Sequence, residues 1–132
     1  TIATGGNATR FGDSTKAGAG GPAGASSVTR GVFAGGQHDN PYPLSNIIDY
    51  ITIATEGNAI DFGDLAAATV QASGLSNSIR GCFAGGSSPN KTNVISFVTI
   101  ASTGNATDFG DLTVARDRLN QGAADAHGGI GR

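Results

Sequence analysis

Two apolar runs dominate the hydrophobic pattern of the chain, NIIDYITIAT over residues 46–55 and NVISFVTIAS over residues 93–102. Ile47, Ile48, Tyr50, Ile51 and Ile53 in the first are answered by Val94, Ile95, Phe97, Val98 and Ile100 in the second. β-Branched and aromatic residues at both odd and even positions predict strands covered on both faces, as between two packed sheets. A shorter run, RGVFAGG at 30–36, returns as RGCFAGG at 80–86, and its glycine pair predicts a strand that ends in a close-packed turn. No stretch sustains a 3.6-residue period. Segment 112–126 comes nearest, but its counterparts are rich in Gly, Ser and β-branched residues, so strand and loop are expected there too. The chain reads as all-β.

The pattern is also periodic on a longer scale. TIATGGNATRFGD at 1–13 recurs as TIATEGNAIDFGD at 52–64 and TIASTGNATDFGD at 99–111, and any two copies agree at ten of thirteen positions. The offsets are 51 and 47 residues, and 50 for the Arg-Gly motif. One unit therefore reads as an Arg-Gly strand, a Gly-Gly turn, a variable loop, a long apolar strand, a Gly-Asn-Ala turn and a Phe-Gly-Asp strand. Gly-Asn tolerates positive φ and predicts a hairpin connection. Four short strands in each repeat of about 50 residues predict tandem blades of a propeller type, in one repeat domain over 1–132 with units near 1–46, 47–93 and 94–132. Thr1 falls inside a repeat, so further sequence is expected upstream. Fewer than three full units cannot close a propeller, so upstream repeats or other copies of the chain are expected to cover the open strand edges.

Composition narrows the function classes. With 22 Gly, two Lys, a net charge of −2 and 14% charged residues, the chain has no basic footprint for nucleic acid and no polybasic membrane patch. No apolar run approaches the roughly 20 residues of a membrane span. Cys82 is the one cysteine and stands where the other copy has Val32, which predicts a small buried hydrophobe.

The order of marks resembles the kelch repeat. Gly35, Gly36, Gly85 and Gly86 stand at its glycine pair, Tyr50 and Phe97 at its third-strand aromatic, and Phe11, Phe62 and Phe109 where that family carries Trp. Arg116 stands at its closing arginine, with Gly18 and Thr69 in the other copies. The wording of residues 97–116, together with TRGVFAGG at 29–36, is similar to repeats in virion structural and tail-fibre-like proteins of marine phages, cyanophages especially. His127, Gly128 and Gly129 resemble the terminal wording of such proteins, so Arg132 is expected at or near the C-terminus. The resemblance implies a non-enzymatic structural module located in the virion, with other virion subunits as partners, homo-oligomeric and trimeric as fibres often are, and with a host-surface glycan as the candidate external ligand.

Motifs that suggest other chemistry fail on context. DFG at 61–63 and 108–110 matches the magnesium-binding motif of kinases, but a kinase needs a strand lysine, a catalytic Asp and a far longer chain. GAGGPAG at 18–24 gives the spacing of a dinucleotide loop without the preceding strand or the following helix. Asn58, Asp61 and Asp64, with Asn105, Asp108 and Asp111, offer oxygens for calcium, yet Arg10 replaces the first aspartate in the opening copy; bonds to nearby backbone that fix the turn are the expected role. His38 and His127 have no cysteine partners at metal spacing, and no cofactor is expected. Arg30 and Arg80 are expected to bond strand-end carbonyls. The loops after the glycine pairs differ in length and wording while the strands do not, which makes His38, Asp39, Asn40, Tyr42, Asn90 and Lys91 the candidate recognition residues, with His38 solvated. A kelch-type lectin or enzyme that binds carbohydrate is the alternative.

Overall fold

The apolar runs and the glycine-terminated runs form strands, as β-branched side chains favour. The computed structural model describes residues 4–16, 20–38, 43–118 and 123. Strands β1 (Ala23–Ser26), β2 (Arg30–Ala34), β3 (Ile47–Thr52) and β4 (Ile60–Asp64) make one antiparallel sheet in that order. Strands β5 (Ser73–Ser76), β6 (Arg80–Ala84), β7 (Thr92–Thr99) and β8 (Thr107–Arg116) make a second. Among the described residues there is no helix, and neither sheet closes on itself. The all-β expectation holds. Each sheet takes four consecutive strands, with Ile47 and Val94 in the third strand of their sheets.

Register sorts the side chains onto two faces. Ala25, Val32 and Tyr50 lie opposite one another, as do Ala23, Ala34 and Ile48. On the second sheet it is the other face, with Phe83 opposite Ser96 and Gly81 opposite Val98, that turns towards the first. Val32, Ile48 and Phe62 from one sheet and Phe83, Val98 and Ile100 from the other form one buried cluster. The core among the described residues is thus the contact between the sheets. Like faces do not meet; the second sheet repeats the first in the same sense. A Cβ on Gly74 would fall 1.7 Å from the Gly24 carbonyl oxygen, so β5 lies with its backbone against β1 and only glycine fits.

A bulge sits at the same place in both sheets. Ile48 pairs Gly63 and Asp49 pairs Asp61, leaving Phe62 as the extra residue; Phe109 is extra in the same way between Ile95 and Ser96. The bulge aims Phe62 edge-on at Tyr50 with ring centroids 5.8 Å apart, and Phe109 at Phe97 at 6.0 Å.

The thirteen-residue motif proves to be the joint between units. The Gly104 N–H donates to the Phe62 carbonyl (2.7 Å), the Ala106 N–H to the Asp64 carbonyl (2.8 Å), and the Asp64 N–H to Asn105 Oδ1 (3.0 Å). Segment 4–16 repeats this against the first sheet. Gly57 N–H donates to the Phe11 carbonyl (3.0 Å), Ala59 N–H to the Asp13 carbonyl (2.7 Å), and Asp13 N–H to Asn58 Oδ1 (3.0 Å). The turn asparagines were expected to bond nearby backbone; instead each reaches a residue 41 or 45 positions away. The aspartates do act locally, Asp61 and Asp108 accepting from the N–H groups of Gly63 and Gly110. Positive φ falls at Gly104 (155°) and Gly63 (148°) rather than at the asparagines.

Candidate recognition surface

Both variable loops leave from equivalent, tightly fixed points. The Gly36 N–H donates to the Thr69 carbonyl (2.8 Å) and the Gly86 N–H to the Arg116 carbonyl (2.7 Å). A Cβ on Gly35, at φ 69°, would fall 2.2 Å from the Thr69 oxygen, which is why the strand ends in this pair. Gln37 then bridges Gly20 and Leu44, and Ser87 bridges Val70 and Lys91. The anchors are the same and only the excursions differ.

The second excursion is a short turn. The Ser88 N–H donates to the Asn90 carbonyl (2.8 Å), Asn90 is exposed, and Lys91 pairs with Asp117 at 3.3 Å. From the first excursion the structure describes His38, while Asp39, Asn40 and Tyr42 lie outside the described residues. His38 is half-buried rather than solvated: it lines a cleft of about 490 Å³ between segment 4–16 and the first sheet. Phe11, Lys16, Phe33, Asp49 and Ile51 also line this cleft. Asp49 is 8% exposed, and its carboxylate accepts the Thr15 N–H (3.2 Å) and the Thr15 hydroxyl (2.6 Å), tying the segment down. An aromatic face beside a cation and an imidazole suits a polar ring compound, which stacks on the ring while its hydroxyls bond the rim.

Of the remaining candidates, Arg30 and Arg80 both lie over the third-strand aromatic, at 4.5 Å from the Tyr50 ring and 4.9 Å from the Phe97 ring. Arg30 bonds a strand-end carbonyl as expected, Nη1 donating to Ile100 at 2.9 Å in the other sheet. Cys82 is half-buried instead of buried, in a groove shared with Leu75, Arg80 and Phe109. The sequence reading missed Phe33, Lys16 and Asp49. Phe33 carried a signal in its alignment with Phe83, whereas Asp49 matches Ser96 and Lys16 matches Ala67, so the repeat offered none for them. No protein-family model and no curated protein matches the chain.

Proposed function

We propose that the chain is a non-enzymatic structural module of a virion tail fibre or surface appendage. Its two sheets are successive blades of a kelch-like propeller, and the loops after the glycine pairs meet a host-surface glycan or a neighbouring subunit. The observation that carries this reading is the identical anchoring of two unlike loops on two like sheets, Gly36 to Thr69 and Gly86 to Arg116, an arrangement in which recognition varies without disturbing the scaffold. Three carboxylates are engaged in joints and turns, Asp49 with Thr15 and Asp61 and Asp108 with their own turns. The virion assignment is supported by the wording of residues 97–116. Antibodies raised against the chain are expected to label appendages of intact virions from its source, and soluble chain to compete with virions for host attachment. Label confined to virion-free fractions would sink the assignment.

The cleft favours a second reading, a carbohydrate-binding module with Phe33, which is 43% exposed, as the stacking platform. Calorimetric titration with a panel of soluble oligosaccharides separates the two: heat with one sugar class, lost in Phe33→Ala, supports the lectin, and uniform absence of heat removes it.

A further inference from the structure

Three Gly-Asn-Ala turns and three Phe-Gly-Asp segments occur in the chain, and two of each are joined to one another. Turn 57–59 sits on segment 11–13, and turn 104–106 sits on segment 62–64. Among the described residues, turn 6–8 and segment 109–111 have no such partner.

Both leftover halves hold the backbone of the joint between the two sheets, though Gly12 and Gly57 of the other filled joint have no positive φ. Gly6 and Gly104 share φ 155°, and Gly110 at 141° matches Gly63 at 148°. Their surroundings differ in one respect. A Cβ on Gly63 would fall 2.4 Å from the Gly104 oxygen and one on Gly12 2.0 Å from the Gly57 oxygen, whereas around Gly110 there is nothing within 4 Å. Among the described residues the slot at Gly110 is open, while Ala123 lies on the same face beside Leu75 and Phe109.

The side chains beside it repeat the contrast. Phe62 is 3% exposed and Phe109 58%; Ala25 is 9% exposed and its counterpart Leu75 43%. Arg30 has the Ile100 carbonyl of the next sheet, while Arg80 has no carbonyl partner among the described residues. At the opposite end, Phe33 and Ile53 are 43% and 47% exposed, where their counterparts Phe83 and Ile100 are 3% and 0%. Phe109 and Leu75 are thus exposed at positions that the joint between the sheets buries, whereas Phe33 faces segment 4–16 and lines the cleft with Phe11.

We propose that copies of this chain join head to tail, turn 6–8 of one copy seating on segment 109–111 of the next. The Gly6 N–H donates to the Phe109 carbonyl, the Ala8 N–H to the Asp111 carbonyl, and Asn7 Oδ1 accepts the Asp111 N–H, as Gly104, Ala106 and Asn105 do within the chain. The occupant is a second copy because the complementary half is the chain's own other end. The contact is heterologous, so it extends until rotation closes a ring or continues as a filament. The inference stands independently of the function proposed above.

Sedimentation velocity over rising concentrations of the 132-residue chain tests it. Self-association is expected, with the Asp111 amide becoming slower to exchange with deuterium as concentration rises. Asn7→Ala, on an exposed turn, should fold as the wild type does and weaken association about fivefold or more, a hydrogen bond's worth. Gly110→Val, which fills the slot, should abolish association. Mixing Asn7→Ala, whose slot is intact, with Gly110→Val, whose turn is intact, should give a mixed dimer of wild-type strength, extended only through the weaker Asn7→Ala contact. Should Gly110→Val not fold, Asn7→Ala and the Asp111 amide decide alone. A chain that stays monomeric throughout, or an Asn7→Ala variant that associates as tightly as wild type with the same Asp111 protection, overturns the proposal.

Discussion

Arg30 and Arg80 occupy the same place in two copies of one motif, and each guanidinium lies over an aromatic ring. They differ in what lies beyond the ring. Arg30 is half-buried and donates to Ile100, whereas Arg80 is exposed. A charge-assisted bond from a partly desolvated arginine is worth about 1.5–3 kcal/mol, and an exposed cation–π contact about 0.5–1 kcal/mol. Arg30→Ala is therefore expected to lower unfolding free energy by about 2–3 kcal/mol and Arg80→Ala by less than about 1 kcal/mol, measured by urea denaturation at one protein concentration. Equal losses would mean that the bond to Ile100 contributes nothing. The sequence shows the two arginines as equivalents and foresees a carbonyl partner for both. It does not show that only one has a neighbouring sheet to supply that carbonyl, because the partner lies 70 residues away.

At the scale of the element, strands and turns were legible where local chemistry decides them. β-Branched runs became β3 and β7, and glycine pairs became strand ends. The joint was not legible. Asn58 and Asn105 read as local turn formers because that is what asparagine does in isolation, yet their bonds cross to another unit. The bulge escaped notice as well, since one extra residue in a strand leaves no mark on an alternation already apolar at both parities. The two joints make a paired prediction. Asn105→Ala leaves the Asp64 N–H without its partner at the contact between the sheets, and should cost about 1–2 kcal/mol of global stability. Asn58→Ala loosens only segment 4–16, so the global free energy should change by less than about 0.5 kcal/mol, while amide exchange at Asp13 and Thr15 accelerates. Gly63→Ala is harsher than either, because its Cβ would lie 2.4 Å from the Gly104 oxygen at φ 148°. Gly110→Ala has the same kind of backbone angle and open space around it, so in dilute solution it should cost only the conformational part of that penalty.

For the whole molecule the decisive fact is where the core lies. A sheet with its own two-sided core unfolds on its own, and a repeat array made of such sheets melts in steps. Here Val32, Ile48 and Phe62 are buried by Phe83, Val98 and Ile100 across the contact, so removing either sheet uncovers the other. Repeat architectures couple neighbours through such interfaces, and with two sheets the coupling spans the entire core. One cooperative transition is expected, with the fluorescence of the two tyrosines and far-UV circular dichroism giving the same midpoint in urea. The composition of the interface then predicts which isoleucine matters. Ile100 is fully buried at the contact and Ile53, its counterpart, is 47% exposed. Ile100→Ala should cost about 2–5 kcal/mol and lower both probes' midpoints together, whereas Ile53→Ala, compared below the concentration at which copies meet, should cost less than about 1 kcal/mol. A fragment covering residues 4–65 supplies all of the first sheet's strands but exposes the three residues that the second sheet buries. It should therefore show no cooperative melt. A sharp transition in that fragment would mean that the sheet stabilises itself, and that the contact between units is an association of folded parts rather than the condition of their folding.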